Sequence, residues 1–225
     1  MPYRITPFAN GYYYHVFNRG VNKLQIFDDE HDYKQALLSM DYYHFVKPIP
    51  KLSKFKTLMA THQSKIITSQ LNTSKTLVDI LCFVLMPNHF HLLLKQNVDN
   101  GISRFISQFT NSYTRYFNTL HHRSGHLFQG QFKAVEIESE SQLIHVSRYI
   151  HLNPLVSGLA SKNTLQRFKW SSYNDYLNLK SNYIQTHDIL SIFKSIGNYE
   201  NFVLEHANYA QELELIKHLT IDIDP

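Results

Sequence analysis

The chain has 225 residues, of which 43% are hydrophobic and 18% charged. That balance excludes a disordered polypeptide and supplies enough apolar material for one sizeable core. No apolar stretch approaches the ~18 residues that a membrane span requires, and MPYRITPFANG has no apolar segment of a signal peptide, so no membrane partner is expected. The single cysteine, Cys82, cannot form an internal disulfide and sits in the apolar run LVDILCFVL. It is expected to be a core residue in a reducing cytoplasm.

The net charge of +4 is unevenly spread. Residues 47–78 hold six lysines and no acid, whereas residues 199–225 hold six acids and one lysine. Fifteen Tyr and fifteen Phe accompany that charge. Lysine with exposed rings suits single-stranded nucleic acid, where cations meet phosphates and rings stack on bases. Solvating lysines and core-filling aromatics are the plainer explanation, and composition alone favours it.

In chain order, GYYYHVFNRG (11–20) is β-favouring and predicts a first strand that ends in a turn holding Asn18 and Arg19. DDEHDYKQALLSMDYYHFV predicts a helix, with acids at its N-terminus and Tyr33, Ala36, Leu37, Met40 and Tyr43 on one face. Residues 47–76, polar and opened by Pro48 and Pro50, read as a long basic loop with room for a short helix. LVDILCFVL and HFHLLLK, joined by MPN, predict an antiparallel hairpin of two core strands. Apolar positions 102, 105, 106, 109, 113, 116, 117 and 120 predict a helix of five turns. GHLFQGQFKAVEIE gives a turn and a strand. SESQLIHVSRYIHLNP gives a helix with Ser139 and Gln142 as a capping box, and Pro154 makes Asn153 its expected last residue. THDILSIF and FVLEHANYAQELELIKHL suggest further short helices. The order describes an α+β domain, an antiparallel sheet flanked by helices. The expected division is a domain over 10–175 and a helical extension over 176–225, acidic at its end.

Side chains alternate along a strand, so His89 and His91 point one way while Phe90 and Leu92 point the other. On the helix through residue 149, Tyr149 and Asn153 are one turn apart and share a face with His145. Leu143, Val146, Ser147 and Ile150 make a more apolar side suited to the sheet. A phenol and an amide beside two imidazoles could assemble a metal site with a nucleophile next to it. Two histidines at i, i+2 are a weak signal alone. His121, His122 and His126, without a cysteine partner, read as loop residues near phosphate.

HVFNRG (15–20), MPNHFHLLL (86–94), SYTRYFN (112–118), GHLFQGQFK (125–133), YIHLNP (149–154) and WSSY (170–173) occur in that order. Together they resemble the single-tyrosine HUH transposases of the insertion-sequence-200-like group, and among these most of all the REP-associated tyrosine transposases. The resemblance covers roughly residues 10–175. It implies a ferredoxin-like fold and a DNA endonuclease and strand transferase. His89, His91 and Asn153 would hold Mg²⁺ or Mn²⁺, and Tyr149 would form a 5′-phosphotyrosine on single-stranded, hairpin-bearing DNA, whether REP-like or at a transposon end. Asn18, Arg19, Gln129, Lys133 and Arg148 lie inside the shared motifs and are the candidate DNA contacts, with plain surface solvation competing. His145 is the candidate general base. Gln131 stands where the family often has arginine.

Tyr113 and Tyr116 are rival phenols, but neither has a ligand four residues on, and core packing explains them. Members of the family occur as homodimers and as monomers, and a nucleoid-associated cytoplasmic protein is expected. The competing functions are a catalytically silent nucleic-acid-binding regulator on the same fold and a metal-dependent hydrolase that uses water.

Overall fold

A computed structural model describes residues 7–47, 52–73, 75–179 and 183–205. Four strands, β1 (Tyr13–Arg19), β2 (Val78–Met86), β3 (His89–Gln96) and β4 (Lys133–Ile137), form an antiparallel sheet in the order β2-β3-β1-β4. The helices are α1 (Glu30–Tyr43), α2 (Leu52–Lys56), α3 (Ala60–Thr73), α4 (Gly101–Leu120), α5 (Glu140–Val156), α6 (Tyr173–Asn178), α7 (His187–Leu190) and α8 (Ile196–Leu204). This is the α+β architecture that the element order implies.

Strands β2 and β3 are buried on both faces, so they read as nearly continuous apolar runs. On one face α4 buries Ile102, Phe105, Ile106, Phe109, Tyr113 and Phe117, and Phe90 meets Phe109 edge-on at 5.4 Å. On the other face lies α5, whose Tyr149 ring meets the ring of His91 on β3. The outer edge of β2 is paired by single bridges to Ser171 and Ile184. The Trp170 carbonyl accepts from Leu85 N, and Ser172 exchanges bonds with Phe83. The WSSY segment therefore protects a sheet edge that would otherwise offer unpaired backbone groups.

Three expectations change. The stretch 47–76 is mostly helical where it is described: α2 and α3 carry a small second core of Tyr42, Leu52 and Phe55, with Ile66 and Ile67 against it. So few apolar anchors among so many polar residues leave little periodicity to read. Asn18 and Arg19 lie in β1 itself, because β1 pairs with β3 through Arg19↔His89. Helix α5 runs through Pro154 to Val156. Proline costs a backbone bond and crowds the preceding turn, but its ring stands in the last turn, where the Pro154 carbonyl accepts from Leu159 and Ala160 beyond Gly158 (φ 71). The described part of the C-terminal segment packs into the same core through Ile189, Tyr199 and Val203. The expected acidic end, 206–225, lies outside the described residues. No helix among the described residues is long and apolar enough to cross a membrane.

Gly20 is required by close approach: a Cβ there would lie 2.2 Å from the Leu24 carbonyl oxygen and 2.8 Å from the Ile26 side chain, while Gly20 N donates to Asn88 O at the β2–β3 turn. Gly20→Ala is expected to cost about 2 kcal/mol through overpacking. In a chain of this size that lowers the melting temperature by roughly 4–8 °C, measurable by thermal unfolding.

Candidate active site

The register of the sheet composes the site. Val84, His91, Phe17 and Lys133 form one row across all four strands, and Met86, His89 and Arg19 form the next. Directly paired residues share a face, so both imidazoles, Arg19 and Lys133 stand on the side that α5 covers. His15, two residues before Phe17, stands there as well.

Helix α5 begins where the sequence says it should. Ser139 caps it by accepting from Gln142 N at 3.2 Å, and the Gln142 side chain returns to Glu138 N at 2.7 Å. Tyr149, ten residues after the cap, is 4% exposed, and its ring packs edge-on against His91 at 5.3 Å and against His15 at 5.9 Å. His89 and His91 are perpendicular, 5.1 Å apart. The tyrosine and the two histidines singled out in the sequence are thus brought together. Asn153 is also buried, and its Nδ2 donates to the Tyr149 carbonyl at 3.2 Å. That bond orients the amide and leaves the oxygen as the group it can offer to a cation.

The two imidazoles are prepared as ligands. Asn88 Oδ1 lies 2.6 Å from His89 Nδ1. An amide oxygen only accepts, so His89 carries its proton on Nδ1 and its lone pair on Nε2. His91 Nδ1 is hydrogen-bonded to His15 Nε2 at 2.9 Å. Burial, and then the neighbouring His89 and His15, hold the His91 pKa well below the ordinary value. A neutral imidazole with its other nitrogen engaged by a fixed partner is the form that binds metal. The donor set of His89, His91 and the Asn153 oxygen suits a divalent cation with open positions.

The remaining candidates divide. Arg19 is half-buried, and its Nε donates to Gln129 Oε1 at 2.5 Å, while Gln129 N donates back to the Arg19 carbonyl. Lys133 is exposed at the start of β4. These three border the imidazole rows. Asn18 points to the opposite face, where its Oδ1 accepts from Arg19 N. Arg148, a candidate DNA contact, is 3% exposed and lies over the Phe202 ring of α8 at 5.1 Å. His145 packs against the same Phe202 at 5.5 Å. Ser147, expected against the sheet, instead accepts from Tyr199 OH of α8.

Tyr113 is wholly buried on the α4 face of the sheet, donates to the Ile26 carbonyl, and has its pKa pushed far up by burial. Tyr116 is pushed up to about 12, first by burial and then by Asp32. Both belong to the packing between α1 and α4. His121, expected near phosphate, faces carboxylates: its Nε2 is 3.9 Å from Asp28 and 3.8 Å from Asp32. Those three residues form a cluster of potential ligand atoms within 4.8 Å of one another, at the junction of α1 and α4 and separate from the histidine pair.

Sequence inspection missed His15, Asn88 and His151. His15 was legible as a strand residue of the right parity, but only the β1–β3 register carries it to His91. His151 is fully buried. Its Nδ1 is 2.7 Å from Tyr199 OH and its Nε2 is 2.8 Å from Ser172 Oγ, which ties the back of α5 to α8 and to the protected edge of β2.

A family model described as "Transposase IS200 like" matches residues 9–153. No curated protein matches the chain. Among solved structures, a REP-associated tyrosine transposase bound to a REP hairpin is 15% identical, with 82% of this chain and 91% of that one covered and a TM-score of 0.49. A provisionally assigned transposase from Deinococcus radiodurans R1 is 14% identical, covering 66% of this chain and 95% of that one, with a TM-score of 0.36. The tRNA(His) guanylyltransferase of Saccharomyces cerevisiae is 13% identical, covering 98% and 83%, with a TM-score of 0.39.

Burial lowers the pKa of His151 to about 3. A histidine depressed in the folded state contributes stability that is fully present above its unfolded pKa of about 6.5 and is lost as the pH falls toward the folded value, at about 1.4 kcal/mol per pH unit. Asp41 and Asp175, raised to about 6 by burial, act in the opposite sense, so the readout is a difference between proteins. Urea unfolding of the wild type between pH 6.5 and 4 is expected to lose about 1.4 kcal/mol more per pH unit than His151→Gln, which starts from a lower stability at pH 7.

Proposed function

The chain belongs to the IS200-like transposase family, and on that premise we propose that it cleaves and rejoins single-stranded DNA through a covalent bond to Tyr149. The observation that carries this reading is the edge-on contact of the Tyr149 ring with His91, on the sheet face that also holds His89. A Mg²⁺ or Mn²⁺ ion held by His89, His91 and Asn153 would supply Lewis-acid charge to the scissile phosphate.

The phenolic oxygen attacks phosphorus in line. A bond from that oxygen to phosphorus forms, the bond from phosphorus to the 3′-oxygen breaks, and the phenol's proton balances the one gained by the departing 3′-hydroxyl. A 5′-phosphotyrosine results. Because the phosphodiester is exchanged rather than hydrolysed, a second 3′-hydroxyl can reverse the step and join strands without an external energy source. A phenol with an ordinary pKa of about 10 is a weak nucleophile while protonated. His145 packs toward α8, so the positive charge that would favour the phenolate is what a cation held by His89, His91 and Asn153 would supply. Arg19, with Gln129, and Lys133 border the imidazole rows and would seat the flanking phosphates. The substrate we assign is hairpin-bearing DNA, REP-like or from a transposon end, met in the cytoplasm at the nucleoid.

A labelled hairpin oligonucleotide, incubated with protein and Mn²⁺ and run on a denaturing gel, tests the proposal. The wild type and Tyr116→Phe are expected to give a slow-migrating covalent adduct, Tyr149→Phe to lose it by at least about a thousandfold, and chelation to abolish it. Tight binding with no adduct in the wild type would make the chain a silent DNA-binding regulator. Cleavage that persists in Tyr149→Phe would make it a hydrolase that uses water.

A further inference from the structure

The junction of α1 with α4 holds a group of side chains that the proposed reaction does not use. Asp28 lies just before the cap of α1, Asp32 is in the first turn of that helix, and His121 is the C-cap of α4. One potential ligand atom from each lies within 4.8 Å of the other two. The local structure fixes all three. Asp29 caps α1 by accepting from Asp32 N at 3.0 Å, and Asp28 N donates to Asp32 Oδ2 at 3.0 Å. The His121 ring packs on Phe117, 4.0 Å between centroids, and its backbone N–H closes the last turn of α4 on the Phe117 carbonyl.

What these residues leave unpaired points to a ligand. Asp32 is fully buried, and its Oδ1 has no hydrogen-bond partner among the described residues. His121 Nε2 is likewise buried and without one. Buried polar atoms in folded chains are almost always paired, so two orphans side by side call for an occupant. An ion pair with His121 does not supply it. Nε2 stands 3.9 Å from Asp28 Oδ2 and 3.8 Å from Asp32 Oδ2, whereas a charge-assisted N–H···O bond closes to about 2.7–2.9 Å. The same separations suit a cation between them, because ligand atoms about 2.1 Å from one ion lie roughly 3–4 Å from each other. Among the described residues no Lys or Arg pairs with either carboxylate, so two negative charges face one imidazole. Tyr116, its pKa pushed up to about 12 by burial and then by Asp32, stays a neutral phenol beside the site rather than a ligand.

We propose that Asp28, Asp32 and His121 bind a zinc ion that fastens the start of α1 to the end of α4. An imidazole nitrogen favours zinc over Mg²⁺ or Ca²⁺, which take oxygen ligands, and the two carboxylates bring the protein ligands to three of a tetrahedral ion's four. The side chains of His121 and Asp28 are 30% and 42% exposed, so water reaches the fourth position. This site stands apart from the cation assigned to His89, His91 and Asn153, and it does not depend on the DNA-transposase reading.

Zinc itself is the probe, and the full chain carrying His89→Ala and His91→Ala removes the other cation site. Equilibrium dialysis against a slight excess of zinc, followed by metal analysis, is expected to find one ion per chain in that protein. Its melting temperature is expected to rise by about 5 °C or more when zinc is added. Asp28→Ala, at a partly exposed position, and His121→Phe, which keeps a ring on Phe117, are each expected to lose both the ion and the shift. The wild type gives a second count that leaves the histidine pair untouched: His121→Phe should bind one zinc ion fewer than the unsubstituted chain. Each protein is first checked for native circular dichroism, and if the chain lacking both histidines does not fold, the wild-type count decides. A folded chain that binds no zinc, or zinc binding that neither substitution changes, would overturn the proposal. So would a loss of stability in His121→Phe that is equal with and without zinc, which is the behaviour of a plain ion pair.

Discussion

The rotation of α5 about its own axis is the constraint on which the site depends. Residues two apart on a helix point about 200° apart, so the helix that turns Tyr149 to the sheet must turn His151 away from it. His151 is held there by two short hydrogen bonds, to Tyr199 OH at 2.7 Å and to Ser172 Oγ at 2.8 Å. Ser172 is itself bound to the backbone of Phe83 in β2. The buried imidazole thus links α5, α8 and the sheet edge, and any rotation that moved Tyr149 off His91 would leave buried polar atoms unpaired, at a cost of roughly 1–3 kcal/mol each. A neutral histidine suits this position because it offers one donor and one acceptor to hydroxyls that can adapt to either tautomer.

The sheet divides chemistry between its two faces. On the α5 side the period-2 alternation of β1 and β3 gathers His15, His89, His91 and Arg19, and the first residue of β4 adds Lys133. On the α4 side the same strands contribute Val16, Phe90 and Leu92 to the core and Asn18 to the lining of a groove beside α4. A single strand end therefore presents a cation to one face and an amide to the other, a consequence of the pleat rather than of any loop. The segment 183–205, which lies beyond the family match, belongs to the α5 side. Asp188 accepts from Tyr13 OH at 2.8 Å and pairs with Lys95 at 3.1 Å, while Phe202 lies beneath Arg148. The C-terminal helices pack α5 against the sheet, and the arginine in the middle of that helix lies over Phe202 there.

The sequence by itself determined the elements whose signals are local. The strands around LVDILCFVL and HFHLLLK, the long α4 and the capped start of α5 were legible because strand alternation, helical periodicity and capping are properties of neighbouring residues; the pairing of Tyr149 with the two histidines was legible only through the shared family motifs. Only the tertiary structure decided the rest. That Asn18 and Arg19 continue β1, that α5 runs through Pro154, and that Lys-rich 47–76 folds into α2 and α3 depend on what those segments pack against, and packing overrides propensity. The partners of His15 and His151 were decided the same way: one by a cross-strand contact 76 residues away, the other by hydroxyls from two distant segments behind α5. Periodicity says which way a side chain points; it cannot say what will be standing there, because that is fixed by contacts between residues far apart in the chain.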